Sequence, residues 1–237
     1  MRRYYTIILT VCALLTVVSC SSNGIPLIGK NCPDAEVEYM NAFKYNGITY
    51  SELYDSDLSK VEKGARIGAI GYMLSGNACS DYEMKDGDAT LMAAGTELFQ
   101  VKGYKQQFRI LADNKLFQVS QNSSVSTVKD LYDIDGRIAS VRFESGIDGS
   151  PMNAFTPEAA ALFAKEYMKL TLEDETTLHK QTKSLSGGSY FMRVILNDGT
   201  SFRVLYWMKH DVISPGAYAT DKLKKVVAEQ RELLYTN

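Results

Sequence analysis

The chain predicts an α+β fold: a β-rich N-terminal module followed by a β-α-β-β-α module with helices packed on a small antiparallel sheet. Three observations carry this reading. Alternating apolar segments meet at Asn-Gly, Asp-Asn and Asn-Asp-Gly turns, which are hairpin signals. Helical periodicity is confined to the second half of the chain. Its first helix follows a threonine, Thr156, placed to cap the N-terminus.

The first module spans residues 34–120. Residues 43–50 (FKYNGITY) alternate aromatic or branched side chains around Asn46-Gly47, a pair that accepts the positive φ of a two-residue turn. Residues 67–74 and 96–104 are further strand candidates, and 108–119 offers a second hairpin turning at Asp113-Asn114. A polar loop, 75–87, carries Cys79.

The second module spans 125–237. Residues 138–144 read as a strand. Thr156-Pro157-Glu158 then supplies an N-cap, a proline at the first helical position and an early acid. The helix expected there runs to 170, with Leu162, Phe163, Tyr167 and Leu170 at helical spacing. Residues 190–196 and 200–207 flank Asn197-Asp198-Gly199, a hairpin signal. A final helix from 220 places Leu223, Val226, Val227 and Leu234 on or near one face.

Ahead of both modules stands MRRYYTIILTVCALLTVVSCSS. Arg2 and Arg3 form a charged start, and residues 4–18 form an almost unbroken apolar stretch. As a helix that stretch spans roughly 22 Å, short of the ~30 Å hydrocarbon core, and it fits a cleaved export signal better than a membrane span. Val17-Val18-Ser19-Cys20 is similar to a lipobox, which implies cleavage after residue 19 and acylation of Cys20 with diacylglycerol and palmitate-type chains. Residues 1–19 are thus expected as signal peptide, and 20–33 as a lipidated tether rich in Ser, Gly, Asn and Pro.

Loss of Arg2 and Arg3 moves the formal net charge from −2 to −4, with no dense Lys/Arg block. That balance argues against nucleic acid as a partner. With Cys20 lipidated and Cys12 removed with the leader, Cys32 and Cys79 remain as an even pair in an oxidising compartment. A disulfide between them is the economical expectation, against two free thiols.

Catalytic and metal motifs are weak. For the acids Asp81, Glu83, Asp86 and Asp88, an EF-type frame on Gly87 puts Tyr82 and Met84 where carboxylate ligands belong. Asp133-Ile134-Asp135-Gly136 fails likewise, with Leu131 first and Arg142 twelfth. Ser126-Thr127-Val128-Lys129 matches S-x-x-K, but no S-D-N or K-T-G companion follows, and Ser126 reads better as a helix or turn cap. His179 and His210 fall on unrelated segments. Tyr45, Tyr50, Tyr206 and Trp207 sit in expected strands, where core packing is the default and a glycan-binding face the alternative. No cofactor or metal is expected.

Two stretches carry a resemblance. One runs through Gly87-Asp88-Ala89-Thr90, Gly95-Thr96, Val101-Lys102-Gly103-Tyr104 and Phe108-Arg109. The other holds Asp198-Gly199-Thr200, Tyr206-Trp207 and Ser214-Pro215-Gly216. Together they cover about half of the mature chain, and the whole resembles a family of uncharacterised Gram-positive bacterial lipoproteins. The resemblance implies attachment to the outer leaflet of the cytoplasmic membrane and brings no catalytic residues. In a source with two membranes, Ser21 after Cys20 favours outer-membrane sorting. The function expected is a membrane-anchored extracytoplasmic protein that binds an envelope protein, a glycan or another ligand without acting on it. The alternative is an envelope hydrolase with a serine or cysteine site.

Overall fold

The computed structural model describes residues 32–34, 40–182 and 187–234. The expected leader, Cys20 and the expected tether up to residue 31 lie outside them. The fold is α+β with strands dominating: one large curled sheet, a second sheet and few helices. Among the described residues no helix is long and apolar enough to cross a membrane.

The first sheet holds β1 (Ala42–Tyr45), β2 (Ile48–Glu52), β3 (Lys63–Ala69), β4 (Tyr72–Met73), β5 (Asp88–Ala89), β6 (Glu97–Val101), β7 (Arg109–Ala112) and β8 (Lys115–Gln121). Their order is β3-β6-β7-β8-β2-β1-β5-β4, antiparallel except for β4 on β5. Asn46 and Gly47 take positive φ at the β1–β2 turn, as do Asp113 and Asn114 between β7 and β8. These are the turns whose twist suits paired strands. Register shifts in β3–β6 and β2–β8 bend the sheet. At Gly68 the missing side chain makes room for Tyr45: a Cβ there would come within 2.9 Å of the ring. The Tyr45 hydroxyl reaches the Ile67 carbonyl at 2.5 Å.

The expected strand 67–74 is in fact two, because after Ile70, which still bonds Thr96 beside β6, Gly71 turns to bond Gly87.

After a short helix, α1 (Val128–Leu131), the second sheet begins. It holds β9 (Ile138–Glu144), β10 (Pro151–Ala154), β11 (Ser189–Leu196), β12 (Ser201–Trp207), β13 (Val212–Ile213) and β14 (Ala217–Tyr218). Their order is β10-β9-β11-β12-β13-β14, with every pairing antiparallel. Helices α2 (Pro157–Tyr167) and α4 (Asp221–Glu232) pack together, and α2 lies on β9. A third helix, α3 (Glu175–Thr182), buries Leu178 and Thr182. On α2 the buried side is Ala159, Ala160, Phe163, Glu166 and Tyr167, while Leu162 is exposed.

Val141, Phe143, Met192, Val194, Val204 and Tyr206 alternate toward the buried face of the second sheet. Phe143 meets Phe155, and Phe155 meets Phe163 of α2. Most buried apolar residues of both sheets join in one cluster, bridged by ring contacts from Phe108 to Tyr132 and from Tyr132 to Phe202, while Val101, Leu111 and Leu116 form a small separate one on the first sheet.

Candidate functional site

Cys32 and Cys79 are bonded, with Cα atoms 5.3 Å apart. Next to them Asp34 accepts from the Ser80 N–H at 2.8 Å, so two independent links hold residues 32–34 to the loop after β4. The ligand atoms of Cys32, Asp34 and Cys79 lie within 4.8 Å of one another, a spacing a metal could use. The sulfur–sulfur bond withdraws both thiolates, which are the form that ligates metal.

The other sequence candidates are structural or dispersed. Asp86 accepts from Gly47 N–H at 2.8 Å and so clamps the β1–β2 turn. Asp88, buried, accepts from the Tyr82 hydroxyl and the Lys85 N–H, both at 2.8 Å. The acidic loop thus consumes its best carboxylates internally. Ser126 is exposed, and Lys129 pairs with Asp135 at 3.1 Å. The cap of α1 is Thr127, which accepts from Asp130 N–H, and not Ser126 as the sequence suggested. His179 is exposed on α3. Tyr50 and Tyr206 are buried, bonded to the Gln106 carbonyl and to Asp211.

The two stretches that carry the family resemblance meet in space. Arg109 on β7 is fully buried. Its Nε and Nη2 donate to Gln118 Oε1 at 3.1 and 2.9 Å, and its Nη1 donates to Thr200 Oγ1 at 2.7 Å. The rings of Phe108 and Tyr104 lie 4.6 and 4.8 Å from the guanidinium carbon. The Tyr104 hydroxyl donates to Asp198 Oδ2 at 2.7 Å, and Asp198 Oδ1 accepts from the backbone and side chain of Thr200. Burial pushes the guanidinium down to about 10, opposed by Tyr104 and Asp198, so it stays charged at neutral pH. Burial raises the Asp198 carboxyl, but hydrogen bonds from Thr200 and Tyr104 and the Arg109 charge leave it below the ordinary value. This assembly is a joint between the sheets, with Arg109 and Thr200 buried and Tyr104 and Asp198 half-buried at its edge.

Beside that joint an open cleft of ≈ 460 Å³ separates the sheets. That volume lies within the range of small-ligand sites. One side comes from the first sheet and the segment after β2, with Ser51, Leu53, Tyr54 and Ser120. The other comes from β11, β12 and the following turn, with Arg193, Arg203, Leu205 and Pro215.

The polar side is organised by register. Arg142, Arg193 and Arg203 stand directly opposite one another across β9, β11 and β12. Glu144, buried two residues along from Arg142, binds Arg193 through Nε and Arg203 through Nε at 2.9 Å. Burial would raise the Glu144 carboxyl, yet the hydrogen bonds and charges of both arginines leave it below the ordinary 4.5. The 145–150 loop covers this end. A Cβ at Gly149, which has φ +73, would sit 3.1 Å from Arg203 Nη2. The loop is held by Ser145 accepting from Ile147 and Asp148, and by Asp148 accepting from Ser150. The Ser150 and Ser145 hydrogen bonds bring the Asp148 carboxyl down to about 2.

No signal in the sequence marked this cleft, since its residues come from seven separated segments between Met40 and Pro215. Comparison with protein-family models, curated proteins and solved structures finds no match to this chain.

Proposed function

We propose that this chain is a lipoprotein, anchored through Cys20 on the extracytoplasmic side of a cell membrane, that binds a ligand or an envelope partner in the cleft between its sheets. The single observation that carries the reading is the Cys32–Cys79 bond. Stable disulfides belong to oxidising compartments, where the leader would deliver the chain. The bond follows the acylation residue by twelve positions and fastens the tether to the folded body. Two or three acyl chains, at about 0.8 kcal/mol per buried CH₂, would hold it firmly to the bilayer. Confinement there raises the effective concentration of envelope partners.

The cleft is set on a frame we read as β-α-β-β-α, formed by β9, α2, β11, β12 and α4, with β10, α3, β13 and β14 as additions. The rival reading, a hydrolase, would draw on Cys79 or Ser126; the first is bonded to Cys32 and the second stands beside a lysine already paired with Asp135.

The test is the intact mass of the protein extracted from its own membranes. The expected species begins at Cys20, carries acyl chains and lacks the two thiol hydrogens. Cys20→Ala should move the protein into the soluble fraction. A chain that retains residues 1–19 without lipid would overturn the anchor.

A further inference from the structure

We propose that the cleft between the two sheets takes a small organic carboxylate with an apolar body, anchored by Arg203. The inference rests on the binding half of the reading above and is independent of the lipid anchor.

Charge on the second sheet carries the argument. Like charges directly opposite one another across strands destabilise a sheet. Arg142, Arg193 and Arg203 are placed that way, and β9, β11 and β12 together contain a single acid, Glu144. Both Glu144 oxygens are engaged by Arg193 and Arg203. The strands therefore hold two positive charges in excess, and the buried Nε of Arg142 has no hydrogen-bond partner among the described residues. An anion would relieve that imbalance.

Arg203 is the group that can receive it. Its side chain is 41% exposed, and its Nη atoms make no hydrogen bond among the described residues. A free guanidinium fork matches a carboxylate in geometry and charge. Of the acids at the cleft, Glu52 is engaged by Asn41 at 2.7 Å and Lys115 at 3.0 Å, while Asp55 stands exposed on the rim. The remaining lining is largely apolar, with Met40, Leu53, Tyr54, Leu205 and Pro215 available to an apolar body. A ligand that is anionic at one end and apolar along its length satisfies both surfaces. Asp55 opposes it through like charge.

The experiment titrates 4-phenylbutyrate, and separately its neutral amide, into the full mature chain, held in phosphatidylcholine nanodiscs when lipidated. Binding is followed by ligand-observed NMR and by the ¹³C-methyl signal of Met40. The carboxylate should bind saturably and shift Met40, and the amide should bind about tenfold more weakly. Arg203→Gln leaves Glu144 its Arg193 partner and should cost about tenfold in carboxylate affinity, whereas Asp55→Asn should tighten it severalfold. These opposite signs separate charge recognition from damage to the fold. Inorganic phosphate competing as well as the carboxylate would overturn the assignment to a carboxylate. Equal binding of the amide, an unchanged Arg203→Gln, or no saturable binding at millimolar probe would overturn the proposal while leaving the anchor untouched.

Discussion

At the residue scale, Arg109 matters most because it is a fully buried charge that, among the described residues, donates to no carboxylate. Gln118 and Thr200 take its donors directly, and Asp198 acts through Thr200 and Tyr104. Arg109→Met would leave Gln118 Oε1 and Thr200 Oγ1 short of partners and should destabilise by about 3 kcal/mol in urea unfolding. Arg109→Lys should recover only part of that, since an ammonium cannot reproduce the fork. Glu144 supplies a pH signature. Its carboxyl lies lower in the folded state than the ordinary 4.5. Its contribution is therefore present above pH 4.5 and is lost as pH falls through the depressed folded value. Glu144→Gln should lower stability at pH 7 and flatten the acid limb of a stability-against-pH curve; an unchanged limb would assign acid sensitivity elsewhere. The sequence flagged Tyr104, Phe108, Arg109, Asp198 and Thr200 as motif residues. It could not show that they form one joint, because that contact joins positions about 90 residues apart.

At the element scale, legibility followed local chemistry. The hairpins at Asn46-Gly47, Asp113-Asn114 and Asn197-Asp198-Gly199 form where expected, since positive φ is a demand that only a few residue types meet cheaply. The cap Thr156 was equally readable, whereas Thr220 was read only as the start of a helix and proves to cap it. What escaped was short or stabilised from a distance. Strands β13 and β14 are two residues each, β10 is an exposed edge strand, and α3 has low apolar content. None of these has enough periodicity to be seen alone. The caps differ in a testable way. Thr156 satisfies Ala159 N–H, whereas Thr220 satisfies Leu223 N–H and also bonds Glu166 of α2 at 3.3 Å. Thr156→Ala should cost about 1 kcal/mol in thermal unfolding, and Thr220→Ala more, because it also loosens α4 from α2.

At the scale of the whole molecule, the question is whether two sheets drawn from successive halves of the chain unfold separately. The packing argues that they do not. Most of their buried apolar residues form one cluster, and the Arg109–Thr200 bond and the mutual hydrogen bonds of Ser56 and Ser201 cross between the halves. Losing one sheet would expose the other's apolar side and strand a buried cation. A single transition should therefore be seen by both far-ultraviolet circular dichroism and the fluorescence of Trp207, which reports the second sheet alone. The disulfide bears on the same measurement. It closes a loop of 47 residues within the first half, which on the chain-entropy model is worth about 4 kcal/mol. If the halves are coupled, Cys32→Ser with Cys79→Ser should shift the Trp207 midpoint as far as the dichroism midpoint, although the bond lies in the other half. If only the dichroism moved, the halves would be folding as independent units and the cleft between them would lose its rigid walls.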